Sequence, residues 1–171
     1  MSYPIQDIAR YIGLTSIIKG LSISPLKLQK LLYYVQAWYM VFYGKENTPF
    51  IAKPQAWVNG PVYPEIYRIY KNKAVNMCDH LESSAFCEGS PEDALAALTK
   101  DMTLDFELLE SIILLYGSKT QNDLIFMTHS ELPWAEKREG LKPFDRSDRE
   151  LSLDTMYKYY KQRHDRNRTK A

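Results

Sequence analysis

The sequence predicts a mainly α-helical protein: a single compact helical domain with at most a short β-hairpin or extended arm around residues 50–63 and 80–86. Three observations predict it. Apolar residues recur at helical spacing in several separate stretches. Many of those stretches open on Ser, Thr or Pro and several close on Gly, the residues that start and stop helices. A strand-like run is confined to a few residues around Trp57, and prolines interrupt it.

Pro4 followed by Ile5, Ile8, Ala9 and Ile12 predicts a short first helix ending near Gly13. Residues 20–24 read as loop. Ser24-Pro25 then supplies an N-cap and a first-turn proline. The helix that follows carries the strongest stripe in the chain, Leu28, Leu31, Leu32, Val35, Tyr39 and Phe42, with Gly44 as its stop. Residues 45–54 are polar and proline-punctuated, hence loop or arm, and residues 55–58 suit a short strand.

Asn59-Gly60 is a hairpin dipeptide. Neither Pro61 nor Pro64 can donate to a ladder, so a sharp turn is expected instead, leading into a helix from Pro64 through Ile66, Ile69 and Tyr70. Residues 72–90 are irregular, with a short strand near residues 80–86. Ser90-Pro91-Glu92-Asp93 restarts a helix that runs to about Lys100. Thr103 reads as the cap of the next, which carries Phe106, Leu109, Ile113 and Leu114-Leu115-Tyr116 and closes at Gly117. Another helix spans residues 120–129, and Pro133 opens a short helical turn holding Trp134. Residues 141–151 are charged and loop-like. Ser152 caps a last helix with Leu153, Met156, Tyr157 and Tyr160. The domain is placed at residues 1–162, and residues 163–171 form a basic, frayed tail.

The chain has 171 residues, the size of one domain with a core of its own. A formal net charge of +1 excludes the basic balance of a dedicated nucleic-acid binder. Lys158, Lys161, Arg163, Arg166, Arg168 and Lys170 do stand against the single acid Asp165. That tail reads as a solvated helix end or as a contact for phosphates or an acidic partner. Two cysteines make no disulfide framework, no leader is visible, and no window nears the roughly 18 apolar residues of a membrane span. These features read as a cytoplasmic protein with reduced thiols and no membrane partner.

Catalytic, cofactor and metal signals are weak. Cys78, His80 and Cys87 lack the paired spacing and fourth ligand of a zinc site. His129-Ser130-Glu131 has no nucleophile or metal to serve and reads as a helix terminus. The seven glycines are scattered singly, without a phosphate-cradling loop. No catalytic, cofactor-binding or metal-binding residue is therefore expected.

The thirteen tyrosines point elsewhere. Tyr33 and Tyr34 are about 100° apart on a helix, so one is expected buried and the other at the rim. Tyr and Trp are enriched in interface cores. Tyr34, Trp57, Tyr63, Tyr67 and Tyr70 are the candidate anchors for a partner. Lys27, Gln29 and Lys30 read as the polar side of the long helix, in reach of a partner's backbone. Trp57 is expected to be largely core, with Gly60 and Pro61 setting the turn.

Two motifs in order, Lys27-Leu28-Gln29-Lys30-Leu31-Leu32-Tyr33-Tyr34 with Trp38, and Ala56-Trp57 through Gly60-Pro61-Val62 to Tyr67, resemble the Panacea antitoxin family. That family is also described as SocA-like or GepA-like and belongs to bacterial and phage toxin–antitoxin loci. His129 with Pro133-Trp134 is a weaker match to the family's ending. The resemblance implies a phage-associated or bacterial antitoxin that binds its cognate protein toxin directly. Two alternatives stand beside it: an adaptor that delivers the toxin to a protease, and a small DNA-binding regulator using the basic tail. Self-association is left open.

Overall fold

A computed structural model describes residues 2–169. In chain order these form α1 (Ile5–Ile18), α2 (Pro25–Tyr43), β1 (Gln55–Trp57), β2 (Gly60–Val62), α3 (Pro64–Tyr70), α4 (Pro91–Thr99), α5 (Phe106–Gly117), α6 (Gln121–His129), α7 (Leu132–Ala135) and α8 (Leu153–Thr169). Two 3-10 turns, Ser83–Ala85 and Glu136–Arg138, complete the set. The fold is mainly α, as the periodicity predicts. Among the described residues no helix is long and apolar enough to cross a membrane.

Helix α2 is the axis of the molecule, and α1, α3, α5, α6, α8 and the hairpin all pack on it. Ser24 accepts the Lys27 N–H at 3.0 Å, Pro25 occupies the first turn, and Gly44 leaves the helix at φ 92°. Sixteen of its nineteen residues are buried. A helix covered on every side is a core helix, not an amphipathic one. The polar face expected for Lys27, Gln29 and Lys30 is therefore absent. Leu28, Leu31 and Leu32 lie in the core as the stripe predicts, but Phe42 is half exposed.

Several boundaries differ from the sequence reading. Helix α1 continues through Gly13 to Ile18, because Gly13 lets the Phe86 ring lie against the helix. A Cβ at that position would sit 2.2 Å from the ring. No strand forms near residues 80–86; Ser83–Ala85 is a 3-10 turn that brings Phe86 to that contact. Asp105, not Thr103, caps α5, accepting the Leu108 N–H at 3.0 Å, while the Thr103 N–H is taken by the Tyr3 hydroxyl.

Helix α8 runs through Arg163 to Thr169 instead of fraying at residue 163. Arg163 pairs with the buried Glu131 at 2.9 Å, and Lys161 with Asp165 one turn on. Lys158 pairs with Asp154. Half of the expected basic tail is thus already engaged, and Lys170 and Ala171 lie outside the described residues. Helix α8 also covers an aromatic cluster on α2. The Tyr160 hydroxyl donates to that of Tyr33 at 3.0 Å, and Trp38 Nε1 donates to the Tyr116 hydroxyl at 2.7 Å. Tyr34 stacks on Tyr116 with ring centroids 3.9 Å apart. Tyr33 and Tyr34 are both fully buried, because α5 and α8 cover the two directions in which they point.

Candidate functional site

Around Trp57 the sequence reading allows a short hairpin or an extended arm and prefers a sharp turn without a ladder at Pro61; a hairpin forms, with β1 and β2 paired antiparallel and Ala56 opposite Pro61. The proline is tolerated because that pair needs no cross-strand bond. The Ala56 N–H points outward to the Arg149 carbonyl at 2.8 Å, so the missing N–H of Pro61 also faces away from β1. Gly60 makes the turn at φ 110°, and a Cβ there would meet Thr128 Oγ1 at 2.8 Å and Lys30 Nζ at 3.0 Å.

An isolated two-stranded hairpin is marginal in water. This one is held by side chains that bond its backbone groups. The Gln29 carboxamide donates to the Tyr63 carbonyl at 3.3 Å and accepts the Tyr63 N–H at 2.8 Å. Lys30 Nζ donates to the Pro61 carbonyl at 3.0 Å. On the other strand, Trp134 Nε1 donates to the Trp57 carbonyl at 2.9 Å and Arg138 to the Ala56 carbonyl at 3.1 Å. His129 stacks on Trp134 at 4.0 Å. Pro133 is buried in the turn that carries Trp134.

The three sequence motifs therefore converge as one hairpin and its clamps. Lys27 plays the same part elsewhere, donating to the Gly117 carbonyl at the end of α5 at 2.5 Å. Lys27, Gln29 and Lys30 are buried and not exposed on a surface, and each spends its polar group on the backbone of this chain. Burial pushes the Lys30 ammonium down to about 7 and also lowers Lys27. It lowers His129 as well, with the Lys30 charge adding to the effect.

The candidate anchors divide in the same way. Tyr34, Tyr63 and Tyr70 are buried. Tyr34 donates to Glu131 Oε1 at 2.6 Å, and Tyr63 to Gln36 Oε1 at 2.7 Å. Tyr70 packs on Phe86. Only Tyr67, among the tyrosines singled out, keeps an open edge. Trp57 is half-buried, against the expectation that it belongs to the core. It sits on the outward face of the hairpin, edge-on to Tyr67 with centroids 4.9 Å apart.

Trp57 and Tyr67 form two walls of a groove of about 820 Å³. Val58, Val62, Leu26 and Met77 supply the rest of its apolar lining. Residues 146–148 also line it. This segment runs into a single bridge, Glu150 opposite Gln55, and the groove lies where pairing with β1 stops. Lys71 Nζ sits 5.7 Å above the Tyr67 ring, and the lining residues Arg146 and Asp148 are exposed.

Sequence reasoning missed Gln36, Arg138 and Thr128 and took Glu131 only as part of a helix terminus; all four hold this region. Gln36 donates to the carbonyls of Phe50 and Ala52, both at 2.9 Å, fixing the arm that leads to β1. Arg138 is buried, with its guanidinium also reaching the Lys142 and Asp145 carbonyls and lying over the Trp134 ring. Glu131 is buried between Tyr34 and Arg163. Burial raises its carboxyl above the usual range, and Tyr34 and Arg163 oppose the rise. Thr128 is buried against Gly60. Nothing in their spacing marks them; Phe50 for Gln36, Tyr34 for Glu131, Ala56 for Arg138 and Gly60 for Thr128 all lie in other parts of the chain.

Chemistry is sparse around this scaffold. Among the described residues no three His, Cys, Asp or Glu side chains come together as a metal-holding group. Cys78 and Cys87 are free thiols, and Cys87 Sγ lies 3.6 Å from the Ser83 carbonyl. No curated protein and no solved structure matches the chain. A family model does: the one described as antitoxin SocA-like, Panacea domain, matches residues 28–135, from the second residue of the Lys27 motif to the end of α7.

Proposed function

Because the chain belongs to the SocA-like antitoxin family through its Panacea domain, we propose that it neutralises a cognate protein toxin by binding it directly and covering its surface. The observation that carries this reading is the fate of the family motifs. The polar groups of Gln29, Lys30 and Trp134 fix a hairpin, and Lys27 bonds the end of α5. Such an arrangement makes a rigid platform, and a rigid platform is what a covering protein needs, since little ordering free energy is lost on binding. The aromatic wall formed by Trp57 and Tyr67 is the part of the platform that faces outward. A stable complex of this kind buries on the order of 1,600 Å².

The reading is tested by producing the chain together with the product of the adjacent gene. Growth restored, with the two polypeptides purifying as one complex, is the expected result. Persistent toxicity would overturn the proposal. Loss of the toxin that depends on a protease would replace steric cover by the adaptor role.

A further inference from the structure

We propose that the aromatic face of α2 beneath α8 is a docking site for a helix, that α8 is its resident occupant, and that the partner displaces α8 with a helix of its own carrying an apolar side chain, an aromatic one and an arginine at positions i, i+4 and i+7. This deepens the direct-binding reading and rests on it only for the identity of the partner as the toxin.

The face is built without α8. Tyr33, Tyr34 and Trp38 of α2, Tyr116 of α5 and Glu131 ahead of α7 all lie within residues 28–135, the part that the family model matches, whereas α8 lies beyond it. Tyr34 stacks on Tyr116 and donates to Glu131, and Trp38 donates to the Tyr116 hydroxyl. The face is thus set in advance, and docking orders little of it.

The helix that now covers the face shows which chemistry fits it. Met156, Tyr160 and Arg163 stand at i, i+4 and i+7 on one side of α8, the spacing of a helix laid in a groove. Met156 and Tyr160 are fully buried. The Tyr160 ring lies 5.4 Å from that of Trp38, and its hydroxyl meets that of Tyr33 at 3.0 Å. Arg163 pairs at 2.9 Å with Glu131, which is 3% exposed and, among the described residues, has no other ion-pair partner. A buried carboxylate stripped of its cation is strongly disfavoured, so a helix that replaces α8 must bring one.

The present cover is thin. Two of the 17 residues of α8 are buried. Among the described residues three side-chain hydrogen bonds join α8 to the domain: Lys45 to Asp154, Tyr160 to Tyr33 and Arg163 to Glu131. The pairs Lys158 with Asp154 and Lys161 with Asp165 are internal to α8. The stem ahead of it is fixed separately. The Leu151 N–H bonds to the Pro54 carbonyl and the Ala56 N–H to the Arg149 carbonyl, both at 2.8 Å. Helix α8 can therefore leave as one unit, hinged at residue 152, with the hairpin intact.

The test uses the purified full chain and a fluorescent peptide of residues 152–169. Native-state hydrogen exchange is expected to show α8 amides opening at least about tenfold faster than those of α2. Arg163→Ala in the chain loosens the resident helix, so the peptide is expected to bind this variant about tenfold more tightly than wild type. Tyr160→Phe in the chain is expected to act in the same direction, by about threefold. Alanine in place of the peptide's own arginine at position 163 is expected to weaken binding to the Arg163→Ala chain by about tenfold. Thermal unfolding shows whether each variant keeps the fold, and exchange on the wild type decides if neither does. Helix α8 amides that exchange only with global unfolding would overturn the proposal. So would a peptide that binds no folded variant, or one that binds equally well without its arginine. A dimer of the full chain that the peptide dissociates would also overturn it, because a second copy then fills the site. Co-production with the product of the adjacent gene separates the two levels. In the complex, α8 amides are expected to lose protection. If the chain neutralises and α8 stays as protected as before, docking beneath α8 is wrong and direct binding stands. If the chain fails to neutralise, direct binding is wrong, and the exchange and peptide measurements alone decide the face.

Discussion

Lys30→Met tests the clamp at its most buried point. Lys30 is fully buried and its ammonium is held to one carbonyl, that of Pro61. Burial brings it from 10.5 down to about 7 in the folded chain. From about pH 7 to pH 9.5 the unfolded chain keeps the proton that the folded chain sheds. Stability therefore rises with pH across this window, by up to about 1.4 kcal/mol for each pH unit. Integrated from about pH 7 to pH 9.5, the contribution of this one side chain comes to about 3 kcal/mol. Methionine keeps the length and removes the titration. His129 is also affected by the Lys30 charge, but burial keeps it below 6.5, outside the window. Lys27 titrates alike in both proteins and cancels. Urea unfolding at several pH values, with wild type and variant side by side, reads the difference. The wild type is expected to gain about 3 kcal/mol relative to Lys30→Met between about pH 7 and pH 9.5. Parallel curves would show that Lys30 is solvated and that the clamp is misassigned.

Three further perturbations probe the same region. Gln29→Leu strands the buried Tyr63 N–H, whose carbonyl keeps its partners in α3. It should cost about 1–3 kcal/mol and speed hydrogen exchange at Tyr63, whereas unchanged protection there would count against the hairpin clamp. Gly60→Ala places a methyl at φ 110° against Thr128 and Lys30. A loss of about 1–3 kcal/mol is expected in denaturant titrations, and a neutral result would contradict the close approach. Arg163→Ala leaves the buried Glu131 with less compensation. Arg163 is partly exposed, so the expected loss is about 1–2 kcal/mol. It should be larger near pH 8 than near pH 5, because Glu131 is raised by burial and takes up its proton as the pH falls. Equal losses at the two pH values would show that the pair is solvent-screened.

Much of the helical frame was legible because its signals are local. Ser24, Pro25 and Gly44 mark α2, and Ser90 and Pro91 start α4, each acting within one turn of its own position. The site was less legible because its determinants act across the chain. Gln29 and Lys30 look like surface residues by type, and only the hairpin 31 to 34 residues away gives their polar groups a use. Pro61 argued against a ladder, but its tolerance depends on which edge Arg149 occupies. Trp57 was expected in the core because tryptophan usually packs there; its true place on the outward face follows from the register that pairs it with Gly60. Tyr67 was singled out as a partner residue and does line the groove, but no spacing rule separates it from the buried Tyr63 and Tyr70.

The most direct measurement of the central claim is a calorimetric titration of the purified chain into the purified product of the adjacent gene, with the toxic activity followed in the same samples. Direct cover predicts a saturable complex and activity that disappears in step with it, with nothing else added. Absence of a complex, or full activity at saturation, would contradict it.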